Sequence, residues 1–116
     1  RLLFSTEGGL NLNRQRRTVQ ARCLVEQVRT SRRPFVLCGD LNAGPTTPDL
    51  DALMSSDLLQ LCGLASEPTH SLLGRRIDYI FSDPRFEVLA ASVLREGPSD
   101  HWPVLAQLAW TGEGRP

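Results

Sequence analysis

Apolar residues at Ala21, Leu24, Val25 and Val28 recur with the spacing of one helix face. Arg and Gln occupy the opposite face, and the Asn13 side chain is placed to cap the first turn. The pattern predicts a helix from Arg14 to about Arg29, preceded by a loop over residues 1–13 and broken by Thr30 to Pro34. Phe35-Val36-Leu37-Cys38 is a continuous apolar run, as expected of a strand buried on both faces, and Gly39 ends it. A turn follows over Asp40 to Pro45. Thr47-Pro48-Asp49 then starts a second helix, with Pro in its first turn and an early acid favourable to the dipole, reaching Ser55. Leu58 to Leu64 has no clear period and reads as a turn packed beneath a sheet.

The remainder alternates. Ile77, Tyr79 and Phe81 share one face of a strand, and Arg76, Asp78 and Ile80 share the other. Asp83-Pro84 turns the chain into a further strand, Phe86 to Leu94, near a sheet edge. Pro103 to Trp110 places Val104, Ala106, Leu108 and Trp110 on one face, and Thr111 to Pro116 reads as a disordered tail. Trp102 and Trp110 are expected in the core. This order predicts an α+β chain. Helices cover one side of its sheet, and the apolar other side must meet another layer.

With 116 residues, 41% of them hydrophobic, the chain has room for one domain at most. It opens at Arg1 and its one methionine is Met54, so the expectation is a piece of a larger domain. Zero formal net charge excludes a global field drawing it to nucleic acid or an anionic membrane. All 13 basic residues are Arg. Arg suits phosphate, but GC-rich coding produces the same bias and is the preferred explanation. Cys23, Cys38 and Cys62 are odd in number, lack C-x-x-C spacing and lie among apolar neighbours. They read as buried free thiols in a reducing, cytoplasmic setting. There is no signal-peptide pattern and no transmembrane run.

Three polar clusters stand at strand ends: Gly39-Asp40-Leu41-Asn42, Arg76-Ile77-Asp78-Tyr79 and Ser99-Asp100-His101-Trp102-Pro103. Asp40 and Asn42 leave a strand through a Gly, so their side chains can converge beyond its end. The acid suits a water proton, and the amide suits a phosphoryl oxygen. Taken alone, the same pair is better read as turn-forming residues. Asp78 in an apolar strand must be paired. Holding an imidazole and bridging to Arg75 or Arg76 are equally open. Asp100 offers oxygen to a hard cation and His101 can hold or move a proton. A loop acid beside a surface His is the equal alternative. His70, in Pro68-Thr69-His70-Ser71, reads as a surface residue.

The ordered triple of clusters resembles the endonuclease/exonuclease/phosphatase superfamily, with the deoxyribonuclease-I-like fold. The resemblance covers residues 14–110. It implies a four-layer α/β/β/α sandwich, of which this chain forms mainly one sheet with its flanking helices. It implies a metal-dependent phosphoester hydrolase using Mg²⁺ or Mn²⁺. In that reading Asp40 orients or deprotonates the attacking water, and Asn42 bonds the phosphate and helps bind a second metal. Asp78 holds His101, His101 stabilises the pentacovalent phosphorus, and Asp100 contacts the cation. The implied metal set is Asp100, Asp40, Asn42 and His101. The family's early Asn, metal-binding Glu and Asn-Thr-His-like strand have no match here. The chain therefore reads as the C-terminal half of the domain, weakly active alone, whose exposed sheet face needs the N-terminal half. Its substrate is a phosphoester: nucleic acid, a phospholipid headgroup or a small phosphodiester. The alternative is a non-catalytic half-domain that binds a partner.

Overall fold

The structure is a computed structural model that describes residues 7–112, with side chains from residue 13 onward. Helix α1 runs from Glu7 to Thr30. Ala21 is buried, with Leu24, Val25 and Val28 packed beside it, as the apolar periodicity requires. The helix starts earlier than expected, so residues 7–13 are not a loop and Asn13 lies inside the helix rather than at its cap. Once the downstream turns dock, adding a turn at the N-terminus is inexpensive, and Gly8-Gly9 cost only about 1 kcal/mol each against Ala. The rest of the expected loop, residues 1–6, lies outside the described residues, as do residues 113–116 of the expected tail.

Strand β1 (Val36–Asp40) pairs antiparallel with β3 (Asp78–Ser82), which pairs on its other edge with the short β2 (Gln60–Leu61). The segment expected as a turn beneath the sheet is thus partly in it. Two residues are too few to show a strand period in sequence, and the pairing partner lies far along the chain. Between β1 and β2, a 3₁₀ turn at Pro48–Leu50 leads into α2 (Asp51–Met54). The Thr47 hydroxyl does not cap it but donates to the Gly44 carbonyl at 2.7 Å. Strands β4 (Phe86–Val93) and β5 (Val104–Trp110) form a two-stranded ribbon with a bulge near Leu89.

The core lies between the helices and one face of the three-stranded sheet. Leu50, Leu53, Leu59, Tyr79 and Phe81 fill it with Ala21 and Ala43. Tyr79 and Phe81 project to this face as the alternation predicts, their rings stacked with centroids 5.7 Å apart. Arg17 ties α1 to the 3₁₀ turn, its Nε 2.7 Å from the buried Asp49 carboxylate.

The opposite face is open. Val36 and Cys38 on β1 are exposed, so the apolar run is not buried on both sides. Cys23 is also exposed, which leaves Cys62 as the buried thiol. Cys23 lies off the helix's core face, and Cys38 faces the uncovered side of the sheet. Neither Trp is in the core. Trp110 lies at the ribbon's end against Phe86, under the Arg85 guanidinium, and Trp102 lies beneath Arg95. Among the described residues, no helix is long and apolar enough to cross a membrane.

Candidate functional site

The β1–β3 register sets Asp40 directly opposite Asp78. Opposed residues of an antiparallel pair point to the same face, so two carboxylates share one patch at the end of the sheet. Like charges so placed are destabilising unless something positive lies between them. His101 supplies part of that. Its Nδ1 lies 3.1 and 3.0 Å from the two Asp78 oxygens, which puts a ring proton on Nδ1 and leaves Nε2 for other partners. Asp78 pairs with this imidazole and not with Arg75 or Arg76, the alternative the sequence left open. The Asp78 carboxylate lifts the His101 pKa above its ordinary value against partial desolvation, and the charges of Asp40 and Asp100 add to the rise.

The β1 exit is shaped by the chain's one described non-glycine residue at positive φ, Asn42 (φ 59°). Asn tolerates that conformation better than most residues. The turn is closed by the Asn42 N–H donating to Asp40 Oδ1 at 2.8 Å. One Asp40 oxygen is thus held by the turn while the residue stays exposed. The turn-forming role and an exposed functional carboxylate coexist in one residue. The turn is fastened to β3 by the buried Tyr79, whose hydroxyl donates to the Ala43 carbonyl at 2.7 Å, with the Arg76 carbonyl at 3.1 Å. Burial pushes that hydroxyl well above the ordinary phenol range.

Asp100 and His101 reach the site from the ribbon. The segment 69–71 joins the ribbon to the sheet: the Trp102 N–H donates to the Thr69 carbonyl at 2.7 Å, and the Ser71 N–H to the Asp100 carbonyl at 2.8 Å. The buried Thr69 hydroxyl accepts from the Ile77 and Asp78 N–H groups, which fixes the entry to β3. Arg76 is also buried. It donates from Nε to the Glu67 carbonyl at 3.1 Å and holds the loop behind Asp78.

His70 departs from the surface position expected of it: it is 8% exposed. Its Nε2 lies 3.4 Å from Asp100 Oδ2, and its ring stands edge-on to His101 with centroids 4.9 Å apart. Nothing local in Pro68-Thr69-His70-Ser71 signals this, because the contact depends on a bridge between His70 and His101 far apart in the chain.

Ligand atoms of Asp40, Asp78 and His101 lie within 4.8 Å of one another, as do those of His70, Asp100 and His101. Carboxylate oxygens with an imidazole nitrogen suit a divalent cation, so the residues present fit one. A groove of about 410 Å³ on the open face runs past Asp40, Asp78 and His101 to Trp102 and Val104. A larger cavity of about 630 Å³ lies between α1 and the β1 exit, reaching Arg16, Arg17, Asp40 and Asn42.

Comparison with known proteins gives the family of the chain and its fold neighbours. A family model described as "Endonuclease/Exonuclease/phosphatase family" matches residues 11–101. Among solved structures, a Bacteroides thetaiotaomicron mannosyl-6-phosphatase is 26% identical with a TM-score of 0.69, covering 81% of this chain and 46% of its own. The human Nocturnin catalytic domain, solved with bound sulfate, is 25% identical with a TM-score of 0.68, covering 84% of this chain and 42% of its own. A B. thetaiotaomicron endonuclease/exonuclease/phosphatase family protein is 25% identical with a TM-score of 0.65, covering 82% of this chain and 44% of its own. The chain therefore spans less than half the length of each of these structures. No curated protein matches it.

Proposed function

Because the chain belongs to the endonuclease/exonuclease/phosphatase family, we propose that it carries the Asp40–Asn42–Asp78–Asp100–His101 part of a metal-dependent phosphoester hydrolase site. The observation that carries this is the convergence of Asp40, Asp78 and His101 from separate segments, ligand atoms within 4.8 Å. A purely structural sheet end has no reason to place two carboxylates opposite each other beside an imidazole. The family and the phosphatase among the similar structures support phosphoester hydrolysis as the general reaction class.

In this reading the exposed Asp40 carboxylate orients the attacking water and takes its proton. Asn42, held at the same strand end, bonds the phosphoryl oxygen. Asp78 accepts the Nδ1 proton of His101 and so aims Nε2 at the phosphoryl group, and the imidazolium offsets charge gathering there. Asp100 would be the principal metal ligand, with Asp40 and Asn42 available to a second ion; His101 would join them through Nε2 only in its neutral form, in place of its contact with the phosphoryl group. Mg²⁺ or Mn²⁺ bound there supplies Lewis-acid polarisation of the phosphate.

The domain over residues 14–110 acts as the C-terminal half of the family's sandwich, and the remaining metal ligands come from the part of the fold the chain does not cover. Its coverage of under half of each matched structure and its open apolar sheet face both support this. The substrate class stays a phosphoester of nucleic acid, lipid headgroup or small-molecule type.

The test is turnover of bis(p-nitrophenyl) phosphate, a sugar phosphate and nicked DNA by the gene product that carries this chain, with Mg²⁺ and with chelator. Chelator-sensitive hydrolysis is expected, falling by about 100-fold or more in His101→Ala with an unchanged circular dichroism spectrum. Wild-type kinetics in His101→Ala reject the assignment.

A further inference from the structure

We propose that His70 is a positioning residue that fixes the Asp100 carboxylate for the cation, donating from Nε2 to one oxygen and leaving the other for the metal. This rests on the reading of Asp100 as a metal ligand.

The ring's own hydrogen bonds set its role. His70 Nδ1 accepts the Leu73 N–H at 3.0 Å. A neutral imidazole has one N–H, so with Nδ1 engaged as an acceptor the proton sits on Nε2. That nitrogen lies 3.4 Å from Asp100 Oδ2. The Asp100 side chain is 53% exposed, so a small rotation brings its oxygen to hydrogen-bonding distance. Contacts of this kind are commonly long until a site is loaded.

The tautomer also decides between two roles. His70, Asp100 and His101 together offer a set of ligand atoms close enough for one ion. Direct ligation through His70 Nε2 needs the ring proton on Nδ1, where it would face the Leu73 N–H, donor against donor. The amide of Leu73 therefore commits His70 to donate to the ligand carboxylate rather than to bind the metal itself.

Asp100 needs such a partner. It follows Gly97-Pro98-Ser99, in a stretch without regular structure, and a half-exposed carboxylate there loses rotamer freedom on binding a cation. The segment that presents His70 already pins the Asp100 backbone: the Ser71 N–H and hydroxyl both donate to its carbonyl, at 2.8 and 3.3 Å. One short segment thus holds the main chain of the ligand and addresses its side chain. The burial of His70 is accounted for in the same way, since a buried imidazole is costly unless both nitrogens are used.

The experiment measures Mn²⁺ affinity by electron paramagnetic resonance on the gene product that carries this chain. The variants are His70→Phe, His70→Gln, Asp100→Asn and the His70→Phe/Asp100→Asn double. Loss of an outer-sphere partner weakens metal binding about 10- to 100-fold, and this is expected of His70→Phe. His70→Gln, whose terminal amide can donate where Nε2 did, is expected to stay within about threefold of wild type, which also shows that the weakening is not misfolding. The double variant should bind no more weakly than Asp100→Asn, because His70 acts through that carboxylate. Unchanged affinity in His70→Phe while Asp100→Asn weakens binding overturns the proposal and leaves the metal reading standing. Additive losses without rescue by Gln make His70 a direct ligand and also overturn it. If Asp100→Asn itself leaves affinity unchanged, the metal reading fails and takes the proposal with it.

Discussion

Replacing Tyr79 by Phe deletes one oxygen from the middle of the core and leaves every apolar contact in place. That oxygen is the only one on a side chain that is 2% exposed, and its proton goes to the Ala43 carbonyl at 2.7 Å. Ala43 is itself buried, so water cannot replace the lost donor. The Arg76 carbonyl, 3.1 Å away, loses its contact too. Leaving a buried acceptor unsatisfied costs about 1–3 kcal/mol. For a domain near this size each kcal/mol lowers Tm by about 4–8 °C. Urea unfolding followed by the fluorescence of Trp102 and Trp110 reads the change. The midpoint should fall with the slope unaltered, since no surface exposed on unfolding has changed. A stability loss below about 0.5 kcal/mol, the ordinary range for a surface substitution, refutes the claim that this hydroxyl bolts the Asp40–Asn42 turn to β3.

Three further outcomes are expected. Arg17→Met strands the Asp49 carboxylate, 5% exposed at its side chain, without its partner, and should cost about 3–5 kcal/mol in the same unfolding assay; a loss under about 1 kcal/mol removes Arg17 from the α1 docking account. The Arg85 side chain bonds Asp83 and lowers its pKa below 3.8, so the pair's contribution is present above that value and lost as pH falls through the depressed one. The stability gap between wild type and Asp83→Asn should therefore shrink between about pH 5 and pH 2, and a gap that holds constant contradicts it. Asp78→Asn should bring the His101 pKa down toward 6.5, followed by NMR of the ring protons. Because the folded value is raised, the pair stabilises most below 6.5 and its contribution fades as pH climbs through the shifted value. An unmoved His101 titration in that variant excludes Asp78 as its main partner.

Periodicity was enough for the elements that pack on one face. Ala21, Leu24, Val25 and Val28 are on the core side of α1, and Tyr79 and Phe81 on the core side of β3, because side-chain direction in a helix or strand is a local consequence of backbone geometry. The start of α1 and the two-residue β2 were not legible. The first depends on propagation from docked turns, the second on pairing with β3. Burial of β1 was overstated for the same reason. An apolar run shows that a strand can be covered on both sides, and Val36 and Cys38 show that one side is open here.

The sequence by itself determined which residue types stand at the strand ends and in what order, and that was sufficient for the family. It could not say which of them meet. The register that opposes Asp40 to Asp78, the choice of His101 over an Arg as the partner of Asp78, and the burial of His70 against Asp100 were decided by tertiary structure alone. Each is a contact between segments distant in the chain, and its energy depends on separations and exposures that no local pattern encodes.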